Sequence, residues 1–252
     1  MTCLQMTVFG FLVIFISTSL GASASFFIKS KTTDKLTAIS LGFSSGIMLA
    51  ASIWSLILPS IEQSEALGGL SLLPPIIGIL SGGIFMAVLG KAVPNVTAIE
   101  EKLIKPIKLF VAVTVHNVPE GLAVGFAFGV ASALNDRSQY YTALMFAIGI
   151  AVQNFPEGVA VSLPFYSATK SRKKAFFLGV LSGAVEPVFA LLGYFLSSSA
   201  KFIQPWLLSF SAGAMIFVVL EDLLPDVKVR YLATWSAIIG FVIMMALDVA
   251  LG

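Results

Sequence analysis

Two short blocks repeat in this chain: "HNVPEG" at residues 116–121 and, 37 residues after its histidine, "QNFPEG" at 153–158, each inside an apolar run. In each block the leading residue and the glutamate are four apart, which on a helix stacks them on one face with the asparagine beside them. The groups are His116, Asn117 and Glu120 in the first block and Gln153, Asn154 and Glu157 in the second. A third carboxylate, Glu186 in "SGAVEPVFA", and a thioether, Met48, fall at comparable depth in neighbouring apolar runs. An ionised carboxylate inside a bilayer costs about 2.5–3.5 kcal/mol on insertion scales. No Lys or Arg occurs near that depth in these runs, so the counter-charge must come from outside the chain, as a metal ion or as protons. An imidazole, several carboxylates, amide oxygens and a thioether suit Zn²⁺, Fe²⁺, Mn²⁺ or Cd²⁺ better than a monovalent ion, whereas an all-oxygen set would suit Mg²⁺ or Ca²⁺. Two glutamates on facing helices have the reach to bridge two metals.

The same blocks carry Pro119 and Pro156, which free the carbonyls of Val115 and Val152 and kink their helices. Such carbonyls are tolerated in a membrane where other groups or water satisfy them. Gly121 and Gly158 leave room for close approach between helices.

The elements that must position these residues follow from composition. The 252 residues are 58% hydrophobic and 11% charged, with a mean hydropathy of +0.97, against about 25% charged in a soluble domain. Runs of about 20 apolar residues cross a hydrocarbon core of about 30 Å as helices, and irregular backbone is excluded there. The expected fold is all-α and integral to the membrane, one domain over 1–252 with spans at about 4–28, 36–61, 72–91, 107–130, 140–166, 174–197, 203–224 and 231–251. "LGASASFF" resembles a signal-peptide end, but no basic residue precedes the long apolar run, and 4–28 is read as the first span. Alternate loops carry 13 of the 15 Lys and Arg. The positive-inside rule makes those loops cytoplasmic and both termini non-cytoplasmic, in a multi-pass protein expected in the cell membrane.

Other features carry less. Glu62 and Glu65 at the outer end of span 2 are placed to attract cations, and equally to be solvated. "LEDLLPD" puts Glu221, Asp222 and Asp226 at the cytoplasmic end of span 7, a candidate exit site. Asp248, deep in span 8, has no assignable role. "NVT" at Asn95 is an acceptor pattern for glycosylation that the expected topology leaves cytoplasmic and silent. The segment 92–106 reads as a cytoplasmic loop, "SATKSRKKA" reads first as a topology signal, and Cys3, the single cysteine, forms no intrachain disulfide.

The paired blocks resemble the signature of the ZIP (zinc-regulated, iron-regulated transporter-like) metal transporters, and the Gln-headed second block resembles the GufA-like branch. "STSLGA", "SSGIMLAASIWSLILPSIE", "GAVEPV" and "LEDLLPD" extend the likeness over nearly the whole chain. The resemblance implies eight helices in a 3+2+3 arrangement whose outer triplets form an inverted repeat, and a mid-membrane, often binuclear metal site worked by alternating access toward the cytoplasm. Carried over, a first metal position uses His116, Glu120, Gln153 and Glu157 with Met48 near it, and a second uses Asn117, Asn154, Glu120, Glu157 and Glu186. Asn154 stands where some relatives have Asp, which makes the second position less anionic. Glu221 stands where relatives often carry His, and the loop between helices 3 and 4 lacks the usual histidines.

The reading is a secondary transporter of divalent metal, Zn²⁺ foremost, not an enzyme. It has no prosthetic group, membrane lipids and the metal are its partners, and nucleic acid is not among them. A homodimer is compatible with the family likeness. A proton-coupled carrier of a small organic cation is the alternative. An intramembrane metalloprotease fits poorly, because one histidine cannot supply HExxH, and a lipid-binding scaffold comes last.

Overall fold

Each long apolar run folds as a helix because its backbone groups can be satisfied only within the segment once water is gone. The computed structural model describes residues 1–27, 33–92, 100–197, 202–224, 227 and 229–251. Among them are eight helices long and apolar enough to cross a membrane: α1 Cys3–Phe27, α2 Asp34–Ser64, α3 Leu67–Lys91, α4 Glu101–Leu134, α5 Arg137–Thr169, α6 Arg172–Leu196, α7 Gln204–Glu221 and α8 Arg230–Ala250. Asn95, Asp226 and Lys228 lie outside the described residues.

Helices α4 and α5 run beyond the expected spans. The polar stretch from Glu101 to Pro106, expected as loop, is the opening of α4. Length is the physical reason: a hydropathy reading ends a span where polar residues begin, while a helix continues past the apolar region as long as its own hydrogen bonds hold. Only two residues then join α4 to α5. Asn135 caps α4 in the left-handed region (φ 49°), and Asp136 caps α5 by accepting from the Ser138 N–H at 2.9 Å. Both residues do what their short polar side chains favour. Gly68 (φ 58°) kinks the chain at the start of α3, a conformation a side chain would disfavour.

The closest helix pairs are α1 with α5, α4 with α6, α2 with α8 and α3 with α7. Exchanging α1–α3 for α6–α8 and α4 for α5 converts the first pair into the second and the third into the fourth, as a 3+2+3 inverted repeat requires. Within every pair, glycines admit the partner's backbone. A Cβ at Gly158 would strike the Thr18 carbonyl, one at Gly121 that of Glu186, one at Gly46 that of Ala237, and one at Gly213 that of Ile79. Helices α2 and α7 also correspond in local form, since a π-helical stretch lies within α2, Ser52–Ile57, and another continues α7 past its end, Val219–Leu223.

The described glycines with tight neighbours never reach across from α1, α4, α5 and α6 to α2, α3, α7 and α8. The bundle is thus two glycine-sealed groups of four helices meeting through larger side chains, chiefly along α2–α5 and α4–α7.

Candidate metal centre

The register of α4 against α5 builds the site. His116 Nε2 lies 3.3 Å from Glu157 Oε2, and Gln153 Nε2 donates to Glu120 Oε1. Both pairs are centred in sequence on the Asp136–Arg137 bond, so the two-residue turn that joins the helices also aligns their polar blocks. Helix α6 tightens at Ala184, which places Glu186 in the first turn of its second half, Val185–Leu196. Backbone dipoles at that end favour a negative charge.

All seven polar residues of the candidate site on α4, α5 and α6 are buried: His116, Asn117, Glu120 and Glu186 at 0% exposure and Gln153, Asn154 and Glu157 at no more than 1%. Among the described residues, the buried polar ones include no Lys or Arg. Ligand atoms of His116, Glu120 and Glu157 all lie within 4.8 Å of one another. Two donors on one tetrahedral Zn²⁺ at about 2.0–2.2 Å are about 3.3–3.6 Å apart, so side-chain movements on the order of an ångström bring all three onto a single ion.

Hydrogen bonding fixes the imidazole. Nδ1 lies 3.3 Å from the Ala112 carbonyl, which can only accept, so Nδ1 carries the proton and donates. In the neutral ring Nε2 then turns a lone pair toward the Glu157 carboxylate. Two lone pairs face each other unless a proton or metal supplies positive charge between them, and a backbone-anchored Nδ1–H is the arrangement that orients metal-binding histidines.

A surplus of acceptors surrounds this pair. Asn117 Oδ1, Glu120 Oε2, Gln153 Oε1, Asn154 Oδ1 and Glu157 Oε1 are all buried without a hydrogen-bond partner. A buried acceptor left unsatisfied costs about 1–3 kcal/mol, and all five face the same remedy, a cation.

Glu186 is held differently. Its Oε1 accepts from Thr18 Oγ1 at 3.0 Å and Asn117 Nδ2 at 3.1 Å, and its Oε2 accepts from Asn154 Nδ2 at 2.6 Å. Thr18 on α1 was not singled out by spacing or composition, although it sits in the quoted "STSLGA". Met48 is buried in the main apolar core, to which α2, α4, α5 and α7 contribute most, its sulfur taking a 3.7 Å contact from Ser44 Oγ in its own helix. Glu221 is exposed at the far end of α7, and the side chain of Asp222 lies outside the described residues.

Asp248 finds a place the sequence does not suggest. Ser55 Oγ donates to its Oδ1 at 2.7 Å, while Oδ2 is buried and unpaired. It lines a cavity of about 760 Å³ together with Ser55, Glu62, Ala123, Gly149 and Gln204. Ala123 is three residues beyond Glu120, so at about 1.5 Å per residue the cavity reaches to within about one turn of the cluster. Its lining comes from the α2, α4 and α8 C-termini and the α5 and α7 N-termini, the end of the bundle where both chain termini lie.

An all-helical membrane protein with a buried imidazole–carboxylate cluster is the class that fold and site define together. The chain belongs to the ZIP zinc transporter family, whose model matches residues 95–248. It is 33% identical over 301 residues to the zinc transporter ZIP11 of Homo sapiens, covering 84% of this chain and 88% of that protein. It is 32% identical over 238 residues to the zinc transporter GufA of Myxococcus xanthus, with 89% and 91% covered. Against the zinc transporter ZupT of Streptococcus mutans it is 34% identical over 253 residues, with 91% of each chain covered.

Proposed function

We propose that this chain is a secondary transporter of divalent transition metal ions, Zn²⁺ foremost, and not an enzyme. Its metal site is the cluster of His116, Glu120, Gln153 and Glu157 in mid-membrane, with Asn117, Asn154 and Glu186 beside it. The whole of 1–252 acts as one transmembrane domain in the cell membrane. The basic loops put both termini on the non-cytoplasmic side, and the family likeness implies transport toward the cytoplasm.

The observation that carries this reading is the excess of buried acceptors over donors around an imidazole lone pair. That excess answers to a small bare cation. The 4.8 Å spread of the ligand atoms leaves no room for an organic cation between them, and the relatives named as zinc transporters support a metal. The polar cluster belongs to α1, α4, α5 and α6 alone, so exposing it alternately to the two sides calls for that group to shift against α2, α3, α7 and α8.

Uptake of radioactive zinc into proteoliposomes tests the reading. Wild-type protein is expected to give saturable uptake, and Glu120→Ala and Glu157→Ala are each expected to fall to the level of empty vesicles. Uptake unchanged in both variants would defeat the proposed site.

A further inference from the structure

The likeness that points to a metal site also implies a second ion beside Glu186, and the donor groups found there do not fit one. Each asparagine amide that faces Glu186 uses both of its N–H groups. Asn117 Nδ2 donates to Glu186 and to the Ser182 carbonyl at 3.2 Å, and Asn154 Nδ2 donates to Glu186 and to the Ile14 carbonyl at 3.4 Å. A backbone carbonyl only accepts, so these two contacts fix which end of each amide is nitrogen. Turning either amide over would set its oxygen against a carbonyl on one side and a carboxylate on the other. Thr18 adds a hydroxyl donor, and neither oxygen of Glu186 is left without a partner. A metal ion placed against Glu186 would therefore meet N–H groups on the side that faces the carboxylate, while the bare oxygens Asn117 Oδ1 and Asn154 Oδ1 lie at the other end of each amide.

Charge points the same way. One dication on Glu120 and Glu157 leaves that pair neutral, and Glu186 remains a carboxylate satisfied by three neutral donors at the favourable end of a half-helix. A second dication would bring four positive charges against three carboxylates in a buried site. The missing fourth is the carboxylate that Asn154 does not supply.

We infer that this chain binds one metal ion, on His116, Glu120 and Glu157, and that hydrogen-bond donors of Thr18, Asn117 and Asn154 close the place beside Glu186 against a second. The inference rests on the metal-transport reading above. It makes Glu186 a positioning residue. Through it, α1, α4, α5 and α6 each contribute one side chain to a single network, and that network holds Asn117 and Asn154, the sequence neighbours of His116 and Gln153. The Glu186 carboxylate stays satisfied when the ion leaves, so only two carboxylates need new counter-charge in each cycle.

Metal stoichiometry tests this. Purified protein in lipid nanodiscs is dialysed to equilibrium against Cd²⁺ and its metal is counted by mass spectrometry. A Glu120→Ala, Glu157→Ala double variant is subtracted to remove ions bound elsewhere, and size-exclusion profiles confirm that each variant is folded. The expected difference is one ion per wild-type chain, still one in Glu186→Gln, and two in Asn154→Asp, which replaces a donor with the missing carboxylate. Two ions in the wild type, falling to one in Glu186→Gln, would overturn the inference. So would Asn154→Asp remaining at one, because the donors would then not be what excludes the second ion. No difference between wild type and the double variant would instead defeat the metal site itself.

Discussion

The Ala112 carbonyl, by accepting the Nδ1–H hydrogen bond of His116, leaves Nε2 as the atom offered to a cation, so one backbone contact converts a buried histidine into a ligand aimed at Glu157. Asp248 has a comparable asymmetry. One oxygen is bound to Ser55 and the other is buried and bare beside the cavity. A single carboxylate in a water-accessible cleft raises the local concentration of cations without holding them tightly. Asp248→Asn keeps the shape and can keep the Ser55 hydrogen bond but removes the charge. It is expected to raise the KM for zinc uptake several-fold with maximal velocity unchanged, and the difference should shrink as ionic strength rises. A KM equal to wild type at low salt would remove Asp248 from the ion's path. The ligands were legible in the sequence because a glutamate in an apolar run is costly wherever it points. Thr18, Ser55 and the bare oxygen of Asp248 were not. A hydroxyl in a membrane helix is common, satisfies itself on its own helix, and acquires meaning only from the neighbour across the interface.

At the level of helices, the hydrophobic runs give the number and order of spans, because each must bury its backbone polar groups alone. Lengths and partners are another matter. The extension of α4 back to Glu101 runs through charged residues that hydropathy treats as loop, and the pairing of α1 with α5 or α2 with α8 depends on which glycine stripes meet. Those stripes make the pairings specific enough to test. A Cβ at Gly125 would meet the Ala190 carbonyl of α6, whereas Gly90 on α3 has nothing within 4 Å. Gly125→Val must therefore push the α4 and α6 backbones away from each other and is expected to destabilise the protein by about 1–3 kcal/mol. Gly90→Ala meets no neighbour and is expected to be neutral or slightly stabilising. Thermal unfolding of the detergent-solubilised protein compares them, and equal midpoints would mean that α4 and α6 are not held by this contact.

Across the whole molecule, the two groups of four helices divide the work. One carries the entire polar cluster, while the other supplies Ser55 and Asp248 to the cavity wall. Where they meet at the cavity, Gly149 of α5 is the described glycine whose neighbours lie in the opposite group, Met244 Cε at 3.8 Å and Asp248 Oδ1 at 3.9 Å. That spacing is ordinary van der Waals contact, looser than the glycine contacts inside either group, so it does not seal the groups together. It does place Gly149 on the cavity wall one turn before Gln153 of the cluster on the same helix. Gly149→Trp places an indole into the cavity and against α8 without touching a ligand. It is expected to reduce zinc uptake at least tenfold while leaving the equilibrium metal content of the purified protein unchanged, because the plug slows passage and leaves the cluster's donors in place. Normal uptake in a folded Gly149→Trp protein would show that ions reach the cluster by some route other than this cavity.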